Sequence, residues 1–286
     1  MTKFNEKQTV EDYFIEKLQE KGWKFVPADE LVRENYEEPL LVANLTAQLK
    51  AINKNPDIGE NEIKQVVNEL KLRGTNIEGI KQTLNFIKSG VPVKTEKTRI
   101  LERLDLIDYE NIKNNEFIVT RQAVFQSGEN NIRTDIILYI NGIPLVNIEC
   151  KNPASFTSDW FTAFEQIKRY EKSIPELYKY VQIGVAAESI AKYFPIVPWQ
   201  AQEEIKFYEW KEKNKDSIDS IIEMLSPQVL PDIIKNYLYY RIQFGKATKI
   251  ITRYMQYYAS QDIVNRVMDN LAGKEDKNKG LIWHWQ

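Results

Sequence analysis

Asp135, Glu149 and Lys151 stand at one end of "RTDIILYINGIPLVNIECKNP", residues 133–153, where two apolar runs meet at Asn141-Gly142. Two such runs joined by Asn-Gly read as a β-hairpin. Alternate residues of a strand share a face, so Glu149 and Lys151 project together with Asn147. Val146, Ile148 and Cys150 then face the other way, into a core. Two carboxylates brought close repel unless a cation lies between them, and hard divalent cations such as Mg²⁺ take oxygen ligands. A cation held there polarises a phosphodiester and lowers the pKa of a bound water. A lysine beside it orients that water and offsets developing negative charge. The main-chain carbonyl of Cys150 adds a further oxygen. Charges at strand ends are also ordinary solvated termini, and the spacing of three residues does not separate the two cases.

Register offers a test. A strict two-residue Asn-Gly turn pairs Ile140 with Ile143 and Asp135 with Ile148, which leaves Asp135 and Glu149 on opposite faces. One extra residue restores a shared face. The sequence therefore predicts an odd-length loop or a bulge between 135 and 149, and opposite faces would exclude a metal site.

Bulk properties narrow the chemistry. The 286 residues are 43% hydrophobic and 28% charged with a formal net charge of −2. That is an ordinary globular balance with no global basic field for nucleic acid. A DNA contact must come from a local patch or a larger assembly. The lone histidine, His284, excludes a His-rich zinc site and disfavours a Ser-His-Asp triad. The lone cysteine, Cys150, permits no internal disulfide and fits the cytoplasm. The first residues lack the apolar core of a signal peptide, and no run reaches the ~20 apolar residues of a membrane helix.

The elements that must position these residues are legible in outline. "QTVEDYFIEKLQEKGWKFV" reads as a helix with Thr9 as N-cap and a stripe of Val10, Tyr13, Phe14 and Leu18, ended by Gly22 and followed by a short strand. Three helices are expected within residues 38–90, a helical insertion beside a sheet. Strands follow from 91, then the hairpin, an amphipathic helix in "DWFTAFEQIKRYEKSI" and a buried strand in "YVQIGVAAES". From about 205 the pattern reads as helical, with breaks at Pro227 and Pro231. "YLYYRIQF" and "WFTAF" read as aromatic helix packing, and "KATKIITRYMQYYASQDIVNRVMDNL" as one long helix or two. "GKEDKNKG" reads as a charged loop, and "GLIWHWQ" starts an apolar strand.

Three features accompany the hairpin. Gln166 and Tyr170 lie at i and i+4, on one helix face. Glu11 lies in the first turn of the opening helix, where an acid also satisfies the helix dipole. Arg133, Lys168 and Arg169 supply basic groups near the hairpin end. The pattern D-(x)n-E-x-K across a hairpin resembles the PD-(D/E)xK nuclease motif, and Gln166 with Tyr170 resembles the QxxxY motif of RecB-like nucleases. "NGIPLVNIECKNP", with "LNFIKSGVPV", "IVTRQAVF", "FYEW" and "ITRYMQYYA" in order, resembles the R (restriction and translocation) subunit of type I restriction-modification enzymes over nearly the whole chain. Thr134 stands where the motif's name has proline, and Cys150 fills its x.

The resemblance implies an α/β fold of the restriction-endonuclease type: a central mixed sheet flanked by helices, with a helical insertion at about 35–90 and a helical C-terminal segment. It implies a nuclease domain over 1–205, and over 206–286 a helical linker and the start of a truncated helicase-like motor. By the same resemblance Asp135, Glu149 and the Cys150 carbonyl hold Mg²⁺ and Lys151 assists attack. Gln166 and Tyr170 support the site or touch the DNA backbone, as Arg133, Lys168 and Arg169 also would, and Glu11 is a secondary carboxylate. Arg253 and Gln256 resemble an adenine-reading motif, with ATP bound only in the full-length protein. The implied activity is Mg²⁺-dependent endonucleolytic cleavage of double-stranded DNA, coupled to ATP-driven translocation. The implied partners are methylation (M) and specificity (S) subunits, with no membrane. A nuclease-like docking or regulatory module without its own catalysis, and a stand-alone RecB-like nuclease, are the alternatives.

Overall fold

The computed structural model describes residues 10–55, 57–153, 159–243, 245–274 and 279–280. Thr9, His284 and most of "GLIWHWQ" lie outside the described residues, as do residues 275–278 of the charged loop.

Helix α1 (Val10–Glu20) buries Val10, Tyr13, Phe14, Ile15 and Leu18, the stripe its 3.6-residue period dictates. It stops before Gly22, whose φ of +105° an L side chain would resist. Strand β1 (Lys24–Phe25) follows. Helices α2 (Val42–Ile52), α3 (Glu60–Leu72) and α4 (Ile77–Ser89) fill the insertion. The Asn76 side chain caps α4 by accepting from the Gly79 N–H, one of the orphan donors of a helix start. Short antiparallel strands β2 (Val91–Lys94) and β3 (Leu101–Leu104) pair beside them.

The central sheet is built from β1, β4 (Phe117–Arg121), β7 (Ile136–Ile140), β8 (Ile143–Cys150), β9 (Ile183–Ala187) and β10 (Ala191–Pro195), in that spatial order. A small hairpin, β5 (Val124–Ser127) with β6 (Asn130–Arg133), leads into β7. Strand β1 runs parallel to β4 and β8 parallel to β9, and the other neighbours are antiparallel. The sheet is mixed, as expected. Both faces are covered, so β8 is buried along Ile143–Glu149 rather than alternating with solvent. Ile136, Leu138, Val146 and Ile148 join the core on the α1 side. Ile137 and Tyr139 join the opposite core, under α5 (Trp160–Ser173) and α6 (Pro175–Tyr178). Asp159 and Thr162 form a capping box that starts α5. The aromatics of "WFTAF" do pack: the Phe164 ring lies 5.0 Å from Phe194 and 4.6 Å from Phe207, edge to face.

The C-terminal segment is less helical than the sequence pattern indicated. Helices α7 (Ser217–Met224), α8 (Leu230–Asn236) and α9 (Tyr254–Leu271) are present. Between them "LYYRIQ" is strand β11 (Leu238–Gln243) and "KATKII" is strand β12 (Lys246–Ile251), paired antiparallel from Leu238↔Ile251 to Gln243↔Lys246. The reason is local: aromatic and β-branched residues make up half of each run, Tyr239, Tyr240 and Ile242 in one and Thr248, Ile250 and Ile251 in the other. Gly245 takes a left-handed φ of +75° at the turn, a conformation that glycine enters freely. Pro231, read as a break, sits in the first turn of α8, where its missing N–H costs nothing.

Candidate active site

The hairpin register places the acids. Asn141 has a φ of +51° and Gly142 a φ of +79°. These are the two left-handed positions of a type I′ turn. Ile140 pairs with Ile143 and Tyr139 with Pro144, after which Leu138 pairs with Val146, so Leu145 is the additional residue. The bulge follows Pro144, which has no N–H to give the ladder. Downstream Ile136 pairs with Ile148. One step further Asp135 and Glu149 lie side by side: the Asp135 N–H donates to Glu149 Oε1 at 3.2 Å, and the Cys150 N–H donates to Asp135 Oδ2 at 2.8 Å. The expected extra residue is there, and both acids are on the α5 side.

Helix α5 closes the site from above. Gln166 Nε2 donates to Glu149 Oε2 at 2.7 Å and lies 2.7 Å from the Tyr170 hydroxyl, and Gln166 Oε1 accepts from the Lys151 ammonium. The Tyr170 hydroxyl donates to the Arg133 carbonyl at 3.0 Å. One amide thus joins the glutamate, the lysine and the tyrosine, and its oxygen faces the cation while its nitrogen faces the acid. The i, i+4 spacing gave Gln166 and Tyr170 a common face, and the fold turns that face onto β8. Asn147, which shares the strand face of Glu149, donates to the Tyr178 hydroxyl at 2.7 Å.

Electrostatics set the acids against one another. Glu149 is fully buried, and burial, then the neighbouring Asp135, push its carboxyl well above the usual range. Burial also raises the Cys150 thiol, with Asp135 and Glu11 adding to it. Glu11 is raised by burial and by Asp135, against a lowering hydrogen bond from Gln122. The Asp135 charge thus acts on Glu149, on Cys150 and on Glu11, although Glu11 comes from α1.

The donors fit a hard cation. Two carboxylates and a main-chain carbonyl are all oxygen, and their mutual repulsion is what a divalent ion would relieve. The Cys150 side chain packs towards the α1-side core, so its carbonyl and not its sulfur is the relevant donor. Among the described residues no group of three or more His, Cys, Asp or Glu side chains is disposed to hold a metal ion, so direct side-chain ligation would fall to this pair, with Glu11 adding its charge beside Asp135.

Not every expected residue comes to the site. Arg133 and Arg169 are exposed near it. Lys168 is a correction: its ammonium is buried between the Glu171 carboxylate and the Val197 carbonyl, on the other side of α5, and is not presented to a polyanion. Arg253 and Gln256 lie apart, at the start of α9, where Gln256 Oε1 accepts from the Arg253 N–H at 3.0 Å. Both line a cavity of about 580 Å³ with Lys206, Tyr208 and Arg241. Gln122 was missed. Its amide donates to Glu11 Oε2 at 2.8 Å and its main-chain N–H to the Asp135 carbonyl at 2.9 Å. The signal available was a glutamine closing an apolar strand in "FIVTRQ".

Comparison with known proteins identifies the family of the chain. A family model described as Type I restriction enzyme R protein N terminus matches residues 3–203. The MjaVIIIP endonuclease subunit of Methanocaldococcus jannaschii is 35% identical over 280 residues, covering 95% of this chain and 26% of that protein. The type I restriction enzyme HindI endonuclease subunit of Haemophilus influenzae is 28% identical over 301 residues, covering 97% of this chain and 28% of that protein. The chain thus spans about a quarter of the length of these curated relatives. With the family model matching well over half of its residues, and a relative 35% identical along nearly all of it, the chain belongs to the family of type I restriction enzyme R protein N termini.

Proposed function

We propose that this chain is the metal-dependent endonuclease portion of a type I restriction enzyme R subunit and hydrolyses DNA phosphodiester bonds. One observation carries the proposal: the Leu145 bulge brings Asp135 beside Glu149, on the strand face that also carries Lys151. The printed names of its relatives, endonuclease subunits, support the same activity.

In this proposal Asp135, Glu149 and the Cys150 carbonyl hold a divalent cation, with Mg²⁺ the natural choice for oxygen donors. When bound, such a cation polarises the phosphodiester and makes its water a better nucleophile. The chain's own residues do the rest. Gln166 holds the Glu149 carboxylate and the Lys151 ammonium through one amide, so the two groups keep their relative positions. Tyr170 fixes that amide by spanning from Gln166 to the Arg133 carbonyl. Lys151 faces the attacked phosphate and offsets the charge that grows there. Arg133 and Arg169 are the exposed cations suited to the flanking backbone, a role Lys168 does not fill.

We assign residues 1–205 to the nuclease portion and 206–286 to a linker leading towards a motor domain. There Arg253 and Gln256 would meet ATP in the full-length protein. Coupling of cleavage to ATP-driven translocation, and assembly with methylation and specificity subunits in the cytoplasm, belong to the same proposal. No helix among the described residues is long and apolar enough to cross a membrane.

The test places Asp135→Ala, Glu149→Ala and Lys151→Ala singly in the full-length subunit within its assembled complex. Cleavage with ATP and Mg²⁺ is expected to fall to about a hundredth or less in each. Wild-type cutting by any of the three removes that residue from the mechanism. Wild-type cutting by both acid variants favours a docking module.

A further inference from the structure

Gln122 sits in the bend between β4 and β5 with a φ of +57°. That is the left-handed region, which a glutamine enters at a cost and which glycine or asparagine tolerates. Nothing about such a bend calls for a long amide. The amide is used elsewhere: Nε2 donates to Glu11 Oε2 at 2.8 Å, while the same residue's N–H donates to the Asp135 carbonyl at 2.9 Å. Its neighbours reinforce both ends. Arg121 pairs with Asp12 at 2.6 Å, next to Glu11 on α1. The Ala123 carbonyl accepts from both the N–H and the hydroxyl of Thr134, at 3.0 and 3.2 Å, next to Asp135. Three consecutive residues thus tie the first turn of α1, on one side of the sheet, to the chain just before β7.

We infer that Gln122 is a positioning residue of the carboxylate site, fixing Glu11 and the backbone of Asp135 relative to one another so that the site keeps its affinity for a divalent cation. The inference rests on the proposed nuclease reading of Asp135 and Glu149. The cost of the left-handed backbone is its main support: a residue present only to make the bend would be relieved by glycine, whereas one present for its amide would not be replaced without loss. Sidedness is the second support. Glu11 arrives from α1, packed on the core opposite α5, and no other hydrogen bond of its side chain holds it towards Asp135 among the described residues.

The experiment compares Gln122→Gly, Gln122→Asn and Glu149→Gln in the full chain, by thermal melting without metal and by Mn²⁺ titration followed by electron paramagnetic resonance. Gln122→Gly is expected to melt at or above the wild-type temperature, since it removes backbone strain, yet to bind Mn²⁺ about tenfold more weakly. Gln122→Asn, which accepts the backbone and keeps a shorter amide, is expected to fall between. Wild-type Mn²⁺ binding by Gln122→Gly, with binding lost in Glu149→Gln, would make Gln122 a turn residue only and overturn the inference. Binding lost in both Gln122 variants only together with a lower melting temperature assigns the residue to fold stability and also overturns it. Wild-type binding by Glu149→Gln as well removes the nuclease reading itself, and Gln122's role with it.

Discussion

Glu149 is an acid held where its charge is unwelcome. In the unfolded chain it ionises near the ordinary value of 4.5, whereas burial and Asp135 push it well above that in the fold. Between the two values the folded chain keeps a proton that the unfolded chain has released. The stability of the metal-free protein therefore falls as pH rises through that window, and the loss is complete above the folded value. Glu149→Gln, neutral and of the same shape, is expected to raise the metal-free melting temperature at pH 8 by about 2 °C or more. At pH 4 and below, where the acid is protonated in both states, the gain should vanish. Millimolar Mg²⁺ should reverse the order at pH 8 by stabilising the wild type alone. Scanning fluorimetry at both pH values, with and without Mg²⁺, checks this; a variant that melts lower than wild type at pH 8 without metal would contradict it. Part of the residue-level site was legible. Glu149 and Lys151 share a face because a strand has period two, and Gln166 and Tyr170 share one because a helix returns every 3.6 residues. Lys168 was not legible, because nothing in "EQIKRY" shows that Glu171 and the chain at Val197 enclose its ammonium.

The β7–β8 hairpin does two jobs at once. Its turn is buried and pinned: the Leu41 N–H donates to the Gly142 carbonyl at 2.9 Å, and Asn141 Nδ2 donates to the Leu106 carbonyl at 2.9 Å. Its bulge sets the phase of everything downstream. A Cβ on Gly142 would sit 2.6 Å from the Leu41 carbonyl oxygen and 2.9 Å from the Leu45 nitrogen, at a φ of +79°. Gly142→Ala is accordingly expected to cost about 2–4 kcal/mol, read from the midpoint shift of urea unfolding. A change within about 0.5 kcal/mol would mean the turn moves off α2 freely. The sequence announced the turn through Asn-Gly and required an extra residue if the acids were to meet. It did not say where, because a bulge is a choice between nearly equal local conformations that neighbouring strands decide. The β11–β12 hairpin shows the opposite failure. Its residues read as part of a helical segment, although their aromatic and β-branched types favour a strand.

At the scale of the whole molecule, one apolar core runs from Val10 in α1 to Tyr257 in α9, through the sheet and through Ile218, Ile221 and Leu230. Polar contacts cross the same distance. Trp23 Nε1 donates to the Leu225 carbonyl at 2.9 Å, Tyr193 Oη to the Thr252 carbonyl at 2.7 Å, and Trp199 Nε1 to the Ala247 carbonyl at 2.8 Å. A chain cut after residue 205 would remove the partners of Tyr13 and Trp23 and leave the Trp23, Tyr193 and Trp199 donors without their acceptors. Residues 1–205 alone are therefore expected to aggregate or melt broadly, while the 286-residue chain melts in one sharp transition. Circular dichroism melts with size-exclusion chromatography test this; a monomeric 1–205 fragment with an equally sharp transition would show that the nuclease portion folds without the C-terminal helices.

What the sequence determined by itself is short-range. It settled which residues alternate on β8, which pair on α5, where α1 and α4 stop, and which charged groups stand at one end of a hairpin, because each depends on backbone periods and turn chemistry within a few residues. Tertiary structure decided the rest. Only the assembled sheet shows that Leu145 is the extra residue, that Glu149 is buried against Asp135, and that Gln166 reaches both Glu149 and Lys151. Only packing across the sheet brings Gln122 to Glu11 and turns Lys168 away. Those contacts join residues far apart in sequence, and their energies lie in burial and hydrogen bonds that no local pattern encodes.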